Sequence, residues 1–178
     1  IMSGRVVDLA VNPKNPTEFY VAYATGGLWY TNNNGTSFTP VMDSAETVNC
    51  GSVTVDWNSG TIWVGSGEVN ASRSSYAGVG VLKSSDKGKT WENLGLKDSH
   101  HISRIWVNPS NLNEIVVAAV GHLYTTNKER GIYKSTDGGK SWKQTLFVAE
   151  DAGIIDLAVS KNNPKIMFAA SWQKDRKA

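Results

Sequence analysis

The stretch Ser84-Ser-Asp-Lys-Gly-Lys-Thr-Trp91 decides the fold of this 178-residue chain, because it occurs three times. It recurs as Thr31-Asn-Asn-Asn-Gly-Thr-Ser-Phe38 and as Ser135-Thr-Asp-Gly-Gly-Lys-Ser-Trp142. The shared pattern is Ser/Thr-x-Asp/Asn-x-Gly-x-Ser/Thr-aromatic, and its central glycines lie 53 and 51 residues apart. We call each occurrence a box. A fixed period of about 50 residues indicates a repeat architecture.

Each residue type in the box suits a tight turn between two strands. A carboxylate such as that of Asp86 can accept hydrogen bonds from main-chain N–H groups a few residues further on. The glycine adopts a positive φ that other residues adopt at a cost, and the aromatic ring can be buried between strands. The box residues are therefore predicted to be structural: Asn33, Gly35, Phe38, Asp86, Gly88, Trp91, Asp137, Gly139 and Trp142.

The sequence around each box repeats as well. Each box follows a Gly-x-x-x segment that begins at Gly27, Gly80 or Gly131. Upstream of that glycine lie two short β-rich runs joined by Asn, Pro and Gly turns, and no segment has a helical period. The sequence of each unit thus predicts four antiparallel strands, named A to D, in which the box forms the turn between strands C and D. Four-stranded units at this spacing are typical of β-propeller blades, whereas a β-sandwich would not repeat one turn at a fixed place.

The boxes make the chain resemble Asp-box (BNR repeat) β-propellers of the sortilin-like and xyloglucanase-like, glycosyl hydrolase-like group. The segments Gly65–Glu68 and Gly121–Leu123, which precede the second and third boxes, add to the resemblance. The resemblance implies an all-β propeller segment in an extracytoplasmic protein, secreted or periplasmic. It implies less about activity, because this group includes sialidases, endoglucanases and non-catalytic receptors.

The number of repeats predicts an incomplete ring. One partial propeller is expected over residues 1–178, with blade units at 1–43, 44–97 and 98–148 and an incomplete unit at 149–178. This is about three and a half blades, whereas a closed ring needs about four to eight. We therefore expect the ring to be completed by the rest of a larger propeller or by self-association.

Composition excludes several classes of partner. The formal charge of +2, from 18 basic and 16 acidic residues, gives no reason to expect nucleic acid binding. No apolar run approaches the roughly 20 residues of a membrane-spanning helix. The three histidines lack the spacing of a zinc site, and no glycine-rich segment continues as a phosphate-binding loop. The sequence therefore predicts no metal, no cofactor and no membrane span.

Strand order also predicts where a ligand would bind. In an A–B–C–D meander the B–C and D–A connections share one face, and the boxes lie on the opposite face. Two B–C loops, 66–79 and 121–130, are long and carry acidic, basic, aromatic and amide groups that suit a glycan or protein ligand. The alternative to a ligand-binding face is an ordinary polar rim of solvent-exposed loops. The candidate ligand-binding residues are Glu68, Asn70, Arg73, Tyr76, His100, His101, Arg104, His122 and Arg130.

Carboxylates on or near the innermost strands leave open the question of whether the protein is an enzyme. Aligning the A strands places Asp8, Arg104 and Asp156 at equivalent positions, which predicts either an ion-pair network or a functional pair. Inverting glycosidases hold two carboxyl groups about 6.5–9.5 Å apart, one as acid and one as base. The catalytic candidates are Asp8, Asp156, Glu68 and Asp151. The sialidase signature Arg-Ile/Leu-Pro is missing. Two functions therefore stay open: a glycan- or protein-binding scaffold, and part of a polysaccharide-cleaving glycoside hydrolase.

Overall fold

A computed structural model describes residues 4–70 and 75–173 of the chain. The described residues form fourteen β-strands and one short 3₁₀ turn at Lys97–Ser99. The strands are β1 Val6–Val11, β2 Phe19–Tyr23, β3 Gly27–Thr31, β4 Thr39–Pro40, β5 Cys50–Asp56, β6 Thr61–Ser66, β7 Val81–Ser84, β8 Glu92–Asn93, β9 Ile102–Asn108, β10 Asn111–Ala119, β11 Gly131–Ser135, β12 Lys143–Leu146, β13 Ala152–Val159 and β14 Met167–Gln173.

The strands form four antiparallel sheets, each wound in the order of the sequence. The sheets are β1-β2-β3-β4, β5-β6-β7-β8, β9-β10-β11-β12 and the two-stranded β13-β14. We number them blades 1 to 4. The predicted all-β propeller segment, with three complete blades and the first half of a fourth, is confirmed.

The A strand of every blade carries a register irregularity at the same place. In each blade one residue of the A strand is unpaired, and the next residue pairs with a small residue of the B strand. The paired residues are Asp8 with Ala22, Ser52 with Gly65, Arg104 with Ala118, and Asp156 with Ala170. Such a bulge re-aims the side chain beside it. The alignment of Asp8, Arg104 and Asp156 therefore holds in the structure.

The apolar core lies between blades rather than inside any one of them. Tyr20, Ala22 and Leu28 of blade 1 share one buried cluster with Val53 and Ile62 of blade 2. A second cluster joins blades 2 and 3 around a fully buried tryptophan of β6, and a smaller one joins blades 3 and 4. Each four-stranded sheet must bury the apolar side chains of its faces against a neighbouring sheet. Adjacent blades therefore stabilise one another.

The box closes its hairpin with side-chain bonds to the main chain. The Asp86 carboxylate accepts hydrogen bonds from the Thr90 amide at 2.9 Å and from the Ser84 and Thr90 hydroxyls at 2.8 and 2.7 Å. These bonds favour the ionised form and lower the pKa of Asp86 to about 2. Asp137 has the same arrangement and a pKa that is also lowered. In the first box the amide oxygen of Asn33 accepts from the Ser37 amide at 3.0 Å without a charge.

The box also ties each blade to the preceding one. The Trp91 indole N–H donates to the Val41 carbonyl oxygen of blade 1 at 3.0 Å. The Trp142 indole N–H donates to the Leu94 carbonyl oxygen of blade 2 at 2.7 Å. A Cβ added to Gly88 would lie 2.6 Å from the Val41 carbonyl oxygen, so this contact needs glycine as well as its positive φ. Phe38 instead packs edge-on against Phe19 of its own blade.

Candidate functional site

The B–C loops and the D–A connections pack together on the face opposite the boxes. The Gly78 amide donates to the His100 carbonyl at 2.7 Å, and the Asn127 amide donates to the Glu150 carbonyl at 3.0 Å. We call this surface the loop face; its described segments are 45–49, 67–70, 75–80, 96–101, 120–130 and 147–151. The candidate Arg73 lies outside the described residues.

Two histidines from different loops stack on the loop face. The rings of His100 and His122 lie 3.6 Å apart between centroids and are inclined by 17°. Because the Nε2 atom of His122 lies 3.1 Å from the Asp98 carbonyl oxygen, we assign the hydrogen to Nε2, which leaves Nδ1 to accept from the Thr125 hydroxyl at 2.9 Å. His100 itself has a φ of 56°, a conformation that few non-glycine residues adopt. The stack thus joins a constrained turn to the B–C loop of blade 3.

His101 is placed quite differently from its neighbour. Its side chain is buried, and its Nδ1 atom has no hydrogen-bond partner among the described residues. Burial, with a smaller contribution from the neighbouring His100, lowers the pKa of His101 to about 4. A ring in this position is a poor candidate for direct contact with a ligand.

The buried His101 predicts acid sensitivity. The unfolded chain protonates this residue below its ordinary pKa of 6.5, whereas the folded chain resists protonation down to about pH 4. The free energy of unfolding should therefore fall between pH 6.5 and 4, by roughly 3 kcal/mol from this residue, and level off below. Urea unfolding of the wild type and of His101→Gln at pH 7.5, 5.5 and 4.5 measures this fall in the free energy of unfolding. An equal pH dependence in the two proteins would contradict the prediction.

Glu68 and Arg130 are also buried, although both were predicted to contact a ligand. The Glu68 carboxylate accepts from Arg5 Nε and Nη2 at 2.6 and 2.5 Å and from the Ser75 hydroxyl at 3.0 Å. The Arg130 guanidinium donates to the main-chain carbonyls of Val120, His122 and Thr125 at 2.9, 2.6 and 2.8 Å. In this structure both side chains hold the loops in place and present no surface to solvent.

Other candidates are accessible on the loop face. Asn70 is exposed, and Tyr76 presents 59% of its surface. Tyr124, in the loop that carries His122, presents 50%. Exposed aromatic rings of this size are candidate contacts for a ligand, because each can cover a large apolar area at low entropic cost. The accessible part of the face therefore combines two tyrosines with the histidine stack.

The four catalytic candidates all have polar partners. Arg104 Nε donates to Asp156 Oδ1 at 2.8 Å, and Arg104 Nη1 lies 3.9 Å from Asp8 Oδ2. The same Asp8 oxygen accepts from the Val53 amide at 3.0 Å. The Asp151 carboxylate accepts from the side-chain Nε2 of Gln173 at 2.7 Å, and Glu68 is paired with Arg5. The inner-strand contacts match the ion-pair alternative, and a catalytic role for these residues stays a prediction.

Within residues 4–70 and 75–173, no group of three or more His, Cys, Asp or Glu side chains has an arrangement that could hold a metal ion. Nor does any helix there have the length and apolar character needed to cross a membrane.

Comparison with known proteins agrees with the propeller architecture. No family model matches the chain. Over 86 residues, or 48% of its length, the chain is 36% identical to "Vacuolar protein sorting/targeting protein 10" of Kluyveromyces lactis. Its structure matches an ancestral GH74 enzyme with a TM-score of 0.72 over 94% of the chain at 19% identity. The chain is a β-propeller segment.

Two other solved structures give the same fold. The GH74 xyloglucanase from Xanthomonas campestris matches the propeller segment with a TM-score of 0.66 over 93% of the segment at 16% identity. YCF48 from Cyanidioschyzon merolae matches with a TM-score of 0.52 over 84% at 18% identity. The segment spans 5% of the yeast protein and 22%, 26% and 40% of the three solved chains. At these identities the structural matches establish the fold alone.

Proposed function

We propose that the propeller segment is a binding scaffold that takes a glycan or protein ligand on its loop face. The observation that carries the proposal is the grouping of Tyr76 and Tyr124 with the His100–His122 stack on loops that hydrogen bonds hold together. Flat rings with polar neighbours suit the apolar faces and hydroxyls of a sugar, and they suit a polar peptide equally.

The carboxylates favour binding over catalysis. A glycosidase acid must release a proton to the leaving group, and its partner must reach water or the sugar. Glu68 is buried in a bidentate ion pair, and Arg104 lies against both Asp8 and Asp156. Part of a polysaccharide hydrolase is the alternative. It has support from the propeller fold shared with GH74 enzymes. The aligned candidates Asp8 and Asp156 do not add to that support, because Arg104 lies against both.

Calorimetric titration of the folded chain tests the proposal, with xyloglucan oligosaccharides and a library of polar peptides as probes. Tyr124→Ala and Tyr76→Ala should each weaken binding about tenfold, because each removes a large exposed contact. Lys140→Ala, an exposed change in the third box on the opposite face, should leave the affinity unchanged.

Three results would overturn the proposal. One is no saturable binding of either probe by a chain that is folded by circular dichroism. Another is binding that Lys140→Ala weakens as much as Tyr124→Ala. The third is release of reducing ends from xyloglucan by the wild-type chain, which would establish the hydrolase alternative.

The second part of the proposal concerns location. We propose that the protein works outside the cytoplasm, as the Asp-box resemblance implies. The partial match to a vacuolar sorting and targeting protein supports a lumenal or extracellular setting. Fractionation of cells that express the full-length protein, with a cytoplasmic marker as the control, tests this location.

A further inference from the structure

A cleft of about 320 Å³ opens between blades 1 and 2 on the face that carries the boxes. Blade 1 lines it with Asn12, Glu18, Tyr20 and Tyr30, and blade 2 lines it with Trp57, Asn58, Ser59, Gly60 and Lys87. Both walls belong to complete four-stranded sheets. The volume lies at the lower end of the range of roughly 300–1,000 Å³ that small-molecule sites occupy. We call this site the box-face cleft.

Three aromatic rings lie side by side in the box-face cleft. The centroid of the Tyr20 ring is 4.9 Å from that of Tyr30 and 5.5 Å from that of Trp57. Tyr20 is buried, whereas Tyr30 and Trp57 are half-buried. Because the two half-buried rings come from different blades, the cleft has an apolar surface on both walls that a ligand can reach.

A carboxylate stands beside the rings in a fixed position. Glu18 Oε1 accepts from the Tyr30 hydroxyl at 2.5 Å, and Glu18 Oε2 accepts from Asn12 Nδ2 at 2.6 Å. These two bonds lower the pKa of Glu18, so the carboxylate is ionised at neutral pH. An ionised carboxylate can accept about four hydrogen bonds, so Glu18 retains capacity for the hydroxyl groups of a ligand.

The internal repeat shows that a blade does not need these rings in order to fold. In blade 3 an Asn–Glu hydrogen bond of 2.7 Å repeats that of blade 1. There Lys134 takes the position of Tyr30 and forms an ion pair with Glu114 at 2.5 Å. Val116 takes the position of Tyr20 in the same cross-strand pair. The aromatic rings of blade 1 are therefore an addition to a framework that blade 3 builds with an ion pair and a valine.

The charges on the two walls of the cleft oppose each other. Lys87 lies along the A–B turn of blade 2, because a Cβ added to Gly60 would be 3.1 Å from Lys87 Cε. Its charge adds to the effect of the hydrogen bonds that lower the pKa of Glu18 across the cleft. A cationic ligand would meet Lys87, and an anionic ligand would meet Glu18. An uncharged ligand with hydroxyl groups fits both walls.

We propose that the box-face cleft binds one pyranose ring of an uncharged saccharide. The C–H face of the sugar packs on the rings of Tyr30 and Trp57. One sugar hydroxyl donates to the Glu18 carboxylate, and another accepts from the Lys87 ammonium. This site lies on the opposite face from the loop face and does not depend on the function proposed there.

Titration of the ¹⁵N-labelled 178-residue chain with methyl glycosides tests the proposal. The probes are the glycosides of glucose, galactose, mannose, xylose and N-acetylglucosamine, and a dispersed spectrum shows that the chain is folded. We expect at least one glycoside to give saturable shifts of the Trp57 indole N–H and of the amides of the blade 1 A–B turn. A single sugar ring should bind with a dissociation constant of about 1 mM.

Two lysine variants of the labelled chain make the test specific. Tyr30→Lys copies the residue of blade 3, so it should fold, pair with Glu18 and weaken glycoside binding at least about tenfold. Thr36→Lys is the matched control, because it adds the same charge at an exposed position where the other two boxes carry Lys89 and Lys140. It should leave the affinity unchanged.

Four results would contradict the assignment. One is a folded chain whose Trp57 indole responds to no glycoside. Another is glycoside binding that Tyr30→Lys leaves unchanged, or that Thr36→Lys weakens equally. The third is a set of shifts confined to the loop face, because the sugar would then occupy the other face of the molecule. The fourth is saturable binding of acetate or tetramethylammonium at the cleft in preference to every glycoside, which would assign a charged ligand instead.

Discussion

Replacement of Trp142 by alanine is expected to lower the free energy of unfolding by about 3 kcal/mol. The ring packs against the cluster shared by blades 2 and 3, and its indole N–H donates to the Leu94 carbonyl at 2.7 Å. The substitution removes both the apolar contact and the hydrogen bond between blades. Chemical unfolding at pH 7.5, monitored by circular dichroism, measures the loss.

Trp142→Phe separates the two contributions. It keeps an aromatic ring between the blades and removes only the indole donor, so the expected loss is about 1 kcal/mol. Equal stabilities of the wild type and Trp142→Ala would mean that the box ring does not hold blade 3 to blade 2. Equal losses in the two variants would assign the whole effect to the hydrogen bond.

The second large effect is expected for Arg5→Met. The Glu68 carboxylate is fully buried, and two guanidinium nitrogens of Arg5 lie within 2.6 Å of it. Removal of the cation leaves a buried charge that retains the Ser75 hydroxyl but loses its bidentate partner. Such a change should lower the free energy of unfolding at neutral pH, although the Arg5 side chain is 42% exposed and solvent screens part of the ion pair. Urea unfolding of the variant at pH 7.5 measures the loss.

The double variant Arg5→Met/Glu68→Gln is the matched control. It removes the buried charge together with its partner, so it should be more stable than Arg5→Met alone. If the double variant is less stable than the wild type by the sum of the two single-variant losses, the two side chains do not interact. That additive result would exclude the pair as the link between the first strand and the B–C loop of blade 2.

The sequence predicts the architecture of this chain well because local chemistry repeats. Asp86 and Asp137 make the same turn bonds in the structure, as their spacing to the flanking Ser and Thr residues indicates. The alternation of β-rich runs and Gly, Asn and Pro turns gives the strand order. The register of the A strands follows from aligned repeats, which place Asp8 and Arg104 at equivalent positions.

The candidate site was harder to predict because its contacts join distant parts of the sequence. Arg5 and Glu68 are 63 residues apart, and no local pattern indicates that they pair. His100 and His101 are neighbours in sequence, yet one stacks on His122 and the other is buried. Loop position and residue type together predict ligand contacts for Glu68, His101 and Arg130, whose side chains the fold buries.

The two faces of the propeller segment thus have different physical roles. The box face is built from repeated turn bonds that close hairpins and join blades. The loop face is built from single, unrepeated contacts, such as the guanidinium of Arg130 on three carbonyls and the stacked histidines. The loop contacts differ from blade to blade on one face, whereas the boxes repeat on the other. This combination suits a scaffold whose binding surface is carried by loops.

Hydrogen exchange of the tryptophan indole groups tests most directly the claim that the boxes join successive blades. We expect the Trp91 and Trp142 indole N–H groups, which donate to carbonyls of the preceding blade, to exchange slowly in a ¹⁵N spectrum at pH 7. The Trp29 indole N–H, which donates to Gly26 within its own blade, should exchange faster. Exchange of Trp91 and Trp142 as fast as that of Trp29 would contradict the account.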